Sequence, residues 1–441
     1  MNSAWDIRHV DLSGAEPVAA ANARPVFMVF WWGALPIGVK SYLPEQLPLS
    51  RSELAALAAE FASAQLAARS PRFAGPARAT YDGRPLLRVP VDTLQDCGDL
   101  LRQLDGFAET SPVSATPLSV VICTRDRPEA LERCLAALAA QTSRAGQIVV
   151  VDNSSHRSAE AATAQFSGVD YVHEARPGLS VARNAGIQAS KGALIAFTDD
   201  DVEPGPSWTA EIVRAFSGAA VDAVTGLVLP ARLDTPAQCY FQFKMGGFGS
   251  ECVPLIFDRR FLDETKAMGA QVWRIGAGAN MAFRRSVFER VGLFDERLGA
   301  GASGCSEDSE LWYRLIAAGG ACLFEPRAVV MHHHREQWPE LRRQVRAYMK
   351  GHVSALFVQA ARHRHGGNIR RIFVQLPAYF ARSAFLALRD GGGVRRFQIL
   401  WDEMGGWLCG LQYGFRPRWR KRPIDMPASR ALGPSARQSP L

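Results

Sequence analysis

The chain has 441 residues, 47% of them hydrophobic, and a formal net charge of +8 at pH 7. That is enough apolar material for a full core and two or three structural units. Eight scattered cysteines exclude a disulfide-stapled scaffold, and no apolar run is both long and unbroken enough to cross a membrane.

Residues 1–115 read as a small accessory domain. Its apolar stretch, Pro25 to Ile37, is too short for a membrane span and is broken by Gly33 and Pro36. A helix is expected from Arg51 to Ala67 with Ser50 as its cap, and Tyr81 to Val91 reads as a turn and strand. The proline and small polar residues of Glu109 to Pro117 are linker-like. The unit either docks a partner or acceptor, or stabilises the larger domain C-terminal to it. The N-terminus lacks a basic, apolar and cleavage pattern, so the protein is expected to fold in the cytosol with reduced thiols.

From residue 116 to 334 strands and helices alternate, the signature of an α/β unit with a parallel sheet and crossover helices. Leu118 to Thr124 is a strand rich in branched residues. Pro128 opens a helix with Leu131, Leu135 and Leu138 on one face. Gln147 to Val151 and Val169 to Val172 are the next strands, and after them come a turn at Gly178 and a short helix through Arg183 and Asn184. The fourth strand, Leu194 to Phe197, runs into Asp199, Asp200 and Asp201. Three adjacent carboxylates repel one another; a divalent metal or a solvated turn relieves that cost.

Each strand ends in polar residues, which places Thr124, Arg125, Asp152, Arg183 and the three aspartates along one sheet edge. That edge is where a nucleotide lies in open α/β sheets. Asp152 either hydrogen-bonds a base or ribose or caps the next segment as an Asx turn. Arg183 either approaches a diphosphate or serves as a structural salt-bridge partner.

The order of motifs is VICTRDRPEAL (Val121 to Leu131), VVVDNSS (Val149 to Ser155), RPGLSVARNAGI (Arg176 to Ile187) and FTDDDVEP (Phe197 to Pro204). It continues with GAGANMAFRR (Gly276 to Arg285), VGLFDERL (Val291 to Leu298) and SEDSELWYRLIAAGG (Ser306 to Gly320). This series resembles the family 2 inverting glycosyltransferases with the GT-A fold, over roughly Leu118 to His334. The resemblance implies a Rossmann-like mixed sheet flanked by helices. It also implies one in-line displacement, in which an acceptor hydroxyl attacks a nucleoside-diphosphate sugar. Such a step needs a Lewis acid, a base and fixed alignment.

By the same resemblance Asp199 and Asp201 match the family's Asp-X-Asp, with Asp201 favoured as metal ligand and Asp199 nearer the ribose. Asp200, between them, is carried as a cofactor contact. Asp308 maps onto the base, with Glu307 beside it. The helix dipole favours the charged form of such a carboxylate, and the neighbouring carboxylate opposes it. His332 is the first choice for a further metal ligand and His334 the second; strand alternation points both to one side. No suitable cysteine pair accompanies them for a zinc site, and carboxylates with one imidazole suit Mn²⁺ or Mg²⁺. Asn280 is carried as a donor-sugar or acceptor contact, and Trp312 either stacks on a sugar or belongs to the core.

Residues 335–422 hold 18 Lys/Arg against 5 Asp/Glu, so the remainder of the chain is net acidic. Apolar patches at Ile372 to Leu376, Tyr379 to Leu388 and Phe397 to Leu411 interleave with these charges at spacings suited to amphipathic helices, together with Trp401, Trp407 and Trp419. A helical basic region of this kind suggests contact with an anionic membrane surface, or helices packed on the catalytic domain with basic outer faces. No nucleic-acid motif accompanies the charge. Residues 423–441 read as a disordered tail.

The expected function is therefore metal-dependent, inverting sugar transfer from a UDP-sugar, or a dTDP- or GDP-sugar, to a hydroxyl of a glycan or lipid-linked acceptor. Cell-envelope polysaccharide synthesis at the inner face of the membrane is the expected setting. A noncatalytic nucleotide-sugar or glycan-binding protein is the alternative. A sugar-nucleotide nucleotidyltransferase is a second, but CTRDRP after the first strand lacks that class's Gly-rich loop.

Overall fold

The computed structural model of the protein describes residues 4–13, 24–69, 77–78, 104–105, 118–218, 220–249, 251–265, 267–391 and 393–415. The readings for Tyr81 to Val91, for the linker at Glu109 to Pro117, for Trp419 and for the 423–441 tail lie outside those residues.

Three N-terminal strands, β1 (Asp6–Asp11), β2 (Val26–Trp32) and β3 (Leu35–Tyr42), form one sheet. The apolar stretch at Pro25 to Ile37 is thus a hairpin that turns at Gly33, whose φ of 56° suits a residue without a Cβ. A helix, Arg51–Arg69, packs on this sheet. Ser50 caps it as expected: Glu53 N donates to Ser50 Oγ, and Ser50 N donates to the Glu53 carboxylate.

The main sheet has ten strands. In chain order they are β4 (Ala77–Arg78), β5 (Leu118–Thr124), β6 (Gln147–Asp152), β7 (Val169–His173), β8 (Leu194–Asp199), β9 (Val202–Pro204), β10 (Ala223–Pro230), β11 (Leu255–Phe257), β12 (Asn280–Arg284) and β13 (Cys322–His332). In space they run β4-β11-β13-β10-β12-β8-β5-β6-β7, with β9 added on β13. β12 is antiparallel to both its neighbours, so the sheet is mixed, as expected.

All seven residues of β5 are buried, which suits a central strand covered on both faces. Val121 and Cys123 join one core with Ala182, Ile187 and the helix Glu307–Ala317; Val120 and Ile122 join the other with Leu131, Leu135 and Leu138. Leu131, Leu135 and Leu138 face inward from the helix Pro128–Ala139, as their spacing predicts.

The N-terminal sheet lies against the second half of the main sheet. Phe27 and Val29 pack on Leu227, Leu229, Leu233 and Val329, and Arg69 pairs with Glu325 at 3.0 Å. After β13 the chain forms the helices Trp338–His363, Gly366–Arg370, Leu376–Arg389 and Val394–Gly414. The last of these carries Gly406, Gly410 and Gly414 one turn apart. A Cβ at any of them would collide with Arg346, Val353 or Phe357, so only glycine permits so close an approach to the 338–363 helix. Among the described residues no helix is long and apolar enough to cross a membrane.

Candidate active site

Register builds the site. Thr124 at the end of β5 pairs with Asp152 on β6, and Cys123 pairs with Asp199 on β8, so these strand ends share one edge. Beyond Asp199 the chain turns through Asp200 and Asp201 into β9, whose Val202 lies opposite His332 of β13. His333 N donates to the Asp201 carbonyl at 2.9 Å and locks that turn. His332 Nε2 thereby stands 3.6 Å from Asp201 Oδ1.

Thr124, Arg127, the three aspartates, Ala300, Gly301 and Arg335 line a cleft of about 290 Å³. A larger cavity, about 420 Å³, opens between Arg259, Tyr313, His363 and His365 and contains none of the sequence-predicted residues. The sequence-predicted residues therefore gather at the smaller cleft.

Within the cleft two arginines answer the acid run. Arg127 Nη1 donates to Asp200 at 3.2 Å and lies 3.1 Å from Asp201, and Arg335 Nη2 lies 3.2 Å from Asp201. Asp200 is buried and also accepts from Thr124 Oγ1 at 2.8 Å; burial, then the Asp201 charge, push its carboxyl up to about 6. Asp200 is thus a brace facing Thr124 and Arg127 rather than an open ligand. Asp199 keeps 31% of its side chain exposed while pairing with Arg183.

Burial lowers His332 to about 3 and His334 to about 2, so both rings are neutral. His334 Nε2 lies 3.1 Å from Gln242 Oε1, an acceptor, and therefore carries that ring's proton. The 2.9 Å contact between the two Nδ1 atoms is then donated by His332, which leaves His332 Nε2 as a bare lone pair facing Asp201. Both nitrogens of His334 are used, so His334 orients His332 and is not itself placed to bind an ion.

The acid pair opens the 307–317 helix behind Ser306, whose left-handed φ of 69° is strained for a residue with a Cβ. Arg183 is 2% exposed and joins the pair to the aspartate run: Nη1 donates to Glu307 at 2.6 Å and Nη2 to Asp199 at 3.2 Å. Burial pushes Glu307 up to about 7 against the pull of Arg183, and its Oε2 has no hydrogen-bond partner among the described residues. Burial also raises Asp308, with Arg183 and the Ser309 N–H opposing. A Cβ at Gly278 would sit 3.0 Å from Asp308 Oδ2 and 2.9 Å from Arg183 Nη2, so the glycine makes room for both.

Several predicted contacts are instead internal struts. Asp152 is fully buried and accepts from Ser154 N, Ala159 N and Tyr171 Oη, which is the Asx-turn reading rather than a base or ribose contact. Arg183 pairs with Glu307 and Asp199, which is the salt-bridge reading. Asn280 is fully buried, accepts from Trp208 Nε1 and spends both amide hydrogens on the carbonyls of Leu227 and Ala328, so it faces the interior rather than the cleft. Trp312 is fully buried in the core. Arg125 lines the cleft but is largely exposed, 3.6 Å from Asp126.

Sequence reasoning missed Arg127, Arg335 and Gln242. Asp126 takes a left-handed φ of 58°, and that reversal turns Arg127, two residues beyond Arg125, onto the aspartates. Arg335 comes directly after the histidine run, a signal available in the sequence.

Among the described residues no three His, Cys, Asp or Glu side chains converge on one point. What this region offers a cation is one carboxylate of the cleft, Asp201, and the buried neutral imidazole of His332 3.6 Å from it, beside the half-open Asp199. An oxygen-rich set with few protein ligands suits a hard divalent ion whose remaining positions are taken by phosphate oxygens and water. The residues present fit such an ion.

Comparison with known proteins agrees with the motif order. Residues 119–292 match the family model Glycosyl transferase family 2. The chain is 26% identical to glycosyltransferase AglE of Haloferax volcanii over 263 residues, 58% of this chain and 77% of that protein. It is 26% identical to the succinoglycan biosynthesis protein ExoM of Rhizobium meliloti over 331 residues, 69% of this chain and 98% of that protein. Two further relatives, chondroitin synthase of Escherichia coli and a pre-mycofactocin glycosyltransferase of Mycobacterium tuberculosis, are matched over half of this chain and under half of their own length. Among solved structures, a mannosyltransferase of Pyrobaculum calidifontis in complex with GDP-Man and Mn²⁺ aligns with a TM-score of 0.46 and 17% identity, over 73% of this chain and 94% of that one.

Proposed function

We propose that the chain, whose residues 119–292 match the Glycosyl transferase family 2 model, is a metal-dependent, inverting transferase of the GT-A type. It moves a sugar from a nucleoside diphosphate, UDP first and dTDP or GDP as alternatives, to a hydroxyl of a glycan or lipid-linked acceptor. The resemblance to a succinoglycan biosynthesis protein supports cell-envelope polysaccharide synthesis as the setting, on the cytoplasmic side of the membrane. The observation that carries this reading is the convergence of two acid sets on one buried guanidinium: Arg183 touches Asp199 on one side and Glu307, the neighbour of Asp308, on the other.

Asp201 and His332 would hold Mn²⁺ or Mg²⁺, which when bound neutralises charge developing on the departing diphosphate. Arg127 and Arg335 release the aspartates and grip phosphate oxygens; their planar forks match that geometry. Asp308 takes the proton of the acceptor hydroxyl. Burial raises its proton affinity, which suits a base, while Arg183 limits the rise. Glu307 and Arg183 position Asp308 and link its charge to that of Asp199. The loop at Ala300 and Gly301, glycine-rich and against the cleft, leaves room for the acceptor.

The test is release of nucleoside diphosphate by the purified protein with Mn²⁺ or Mg²⁺, across UDP-, dTDP- and GDP-sugars. Release with one donor class, abolished by EDTA and by Asp201→Ala, is expected. Neither release nor metal-dependent nucleotide binding with any donor would overturn the reading.

The domain boundaries proposed are residues 1–115 for the accessory unit, 116–334 for the catalytic domain and 335–422 for the helical region. The first unit is a stabilising clasp: Phe27 and Val29, on the sheet face away from its own core, pack on β10 and β13, and the Arg69 and Glu325 pair closes the joint.

A further inference from the structure

We propose that the outer face of the helices Leu376–Arg389 and Val394–Gly414 docks on an anionic lipid bilayer. The surface stands on its own geometry; only its use in delivering a lipid-linked acceptor rests on the function proposed above.

On the second helix Val394, Trp401, Leu408 and Phe415 recur every seventh residue and are 73%, 71%, 51% and 64% exposed. Seven residues return a helix to nearly the same direction, drifting by roughly 20°, so Val394, Trp401 and Leu408 form one stripe, while Phe415, just past the helix end, also rests on Phe357 of the 338–363 helix. The opposite face is taken: Leu400, Gly406 and Gly410 are buried against the 338–363 helix. The first helix adds Phe385 and Leu388, 62% and 72% exposed. Six large apolar side chains, each more than half exposed on two successive helices, are a binding surface rather than ordinary scatter.

Charge selects the occupant. Arg382, Arg389 and Arg395 are exposed on the same two helices. Among the described residues of 366–415, Asp390 is the one exposed acid, and it is held between Arg389 at 2.7 Å and Arg396 at 3.7 Å. A second copy apposed through this face would set arginines against arginines. Anionic headgroups supply the missing countercharge, while the acyl boundary accepts tryptophan, phenylalanine and leucine. The helices lie on the bilayer rather than in it, since none is apolar enough to span.

The surface is joined firmly to the cleft. Tyr413 Oη donates to the Arg297 carbonyl at 2.9 Å and Lys350 Nζ to that of Ala302 at 2.8 Å, while Gly351 packs on Cys305. These contacts bracket Ala300 and Gly301, which line the site. Docking therefore fixes the acceptor side of the cleft relative to the membrane, where a lipid-linked hydroxyl is found.

The experiment is co-sedimentation of the full chain with vesicles of phosphatidylcholine alone and with about one-third phosphatidylglycerol. Binding to the anionic vesicles, weakening with salt, is expected. It should fall about tenfold in Trp401→Glu with Leu408→Glu, whose exposed positions leave the fold intact, and in Arg382→Glu with Arg389→Glu. Donor hydrolysis in lipid-free solution should be unchanged in all of them, which separates this proposal from the transferase reading. Equal sedimentation of wild type and variants would overturn it. So would a wild-type dimer that Trp401→Glu dissociates without any lipid dependence, because a second copy would then own the face.

Discussion

Arg183→Met tests whether Arg183 is a buried strut or a diphosphate contact. The substitution keeps much of the volume and removes the charge between Glu307 and Asp199. Breaking a buried ion pair from one side costs about 3–5 kcal/mol. The Glu307 contact is enclosed, whereas Asp199 is a third exposed and counts for less, so we expect about 3 kcal/mol at pH 8. The loss should depend on pH. Glu307 has a native value of about 7, above its ordinary 4.5. The native state therefore holds a proton that the unfolded chain gives up. That contribution is fully present below pH 4.5 and lost as pH rises to about 7, roughly 3 kcal/mol across the window. Without Arg183 the carboxyl rises further, so the variant goes on losing stability above pH 7 where the wild type has levelled. Urea unfolding midpoints of both proteins from pH 5 to 9 read this directly, since the gap should widen with pH. A variant as stable as wild type at pH 8, yet weaker in nucleotide binding, would refute the strut and restore the diphosphate role.

Gln242→Leu removes the acceptor that fixes the His334 tautomer, and metal affinity measured by calorimetry should fall about 10–100-fold, with His332→Ala falling at least as far. Asn280→Ala should destabilise the fold while leaving the donor KM unchanged, because its amide serves only Trp208, Leu227 and Ala328; a raised KM would make it a substrate contact. Arg69→Met should cost about 3 kcal/mol at neutral pH. Glu325 is buried, yet Arg69 and Arg327 hold it at about 2, so the pair's contribution is present above pH 4.5 and fades as pH falls towards 2. Melting curves at pH 7 and pH 3 should show the Arg69→Met deficit shrink in acid. Gly410→Leu should force the 394–414 helix off Val353 and cost about 1–3 kcal/mol in thermal unfolding.

Much of the catalytic unit was legible in the sequence because its strands are short buried runs with polar ends. β5, β6, β7 and β8 fall where apolar runs and turn residues put them, and register then brings Thr124, Asp199 and His332 to one edge. What periodicity does not carry is the direction of single polar side chains. Asp152, Asn280 and Arg183 sit in motifs at that edge, yet each is turned inward to satisfy neighbouring donors and acceptors, a choice made by tertiary packing. Arg127 was hidden for the converse reason, since it lies beyond the strand end and a left-handed Asp126 precedes it. The docking of the N-terminal sheet on β10 and β13 involves partners some two hundred residues or more apart, and no local pattern announces such a pairing.

Sugar transfer in this cleft is tested most directly by comparing Asp308→Asn with wild type in two measurements on one preparation: Mn²⁺-dependent binding of nucleoside diphosphate, and its release from the matching sugar donor. Binding should persist in the variant, because Asp201, His332 and the arginines are untouched, while release is abolished. Release at the wild-type rate in Asp308→Asn would contradict the assignment of that carboxylate as the base, and with it the claim that this cleft transfers sugars.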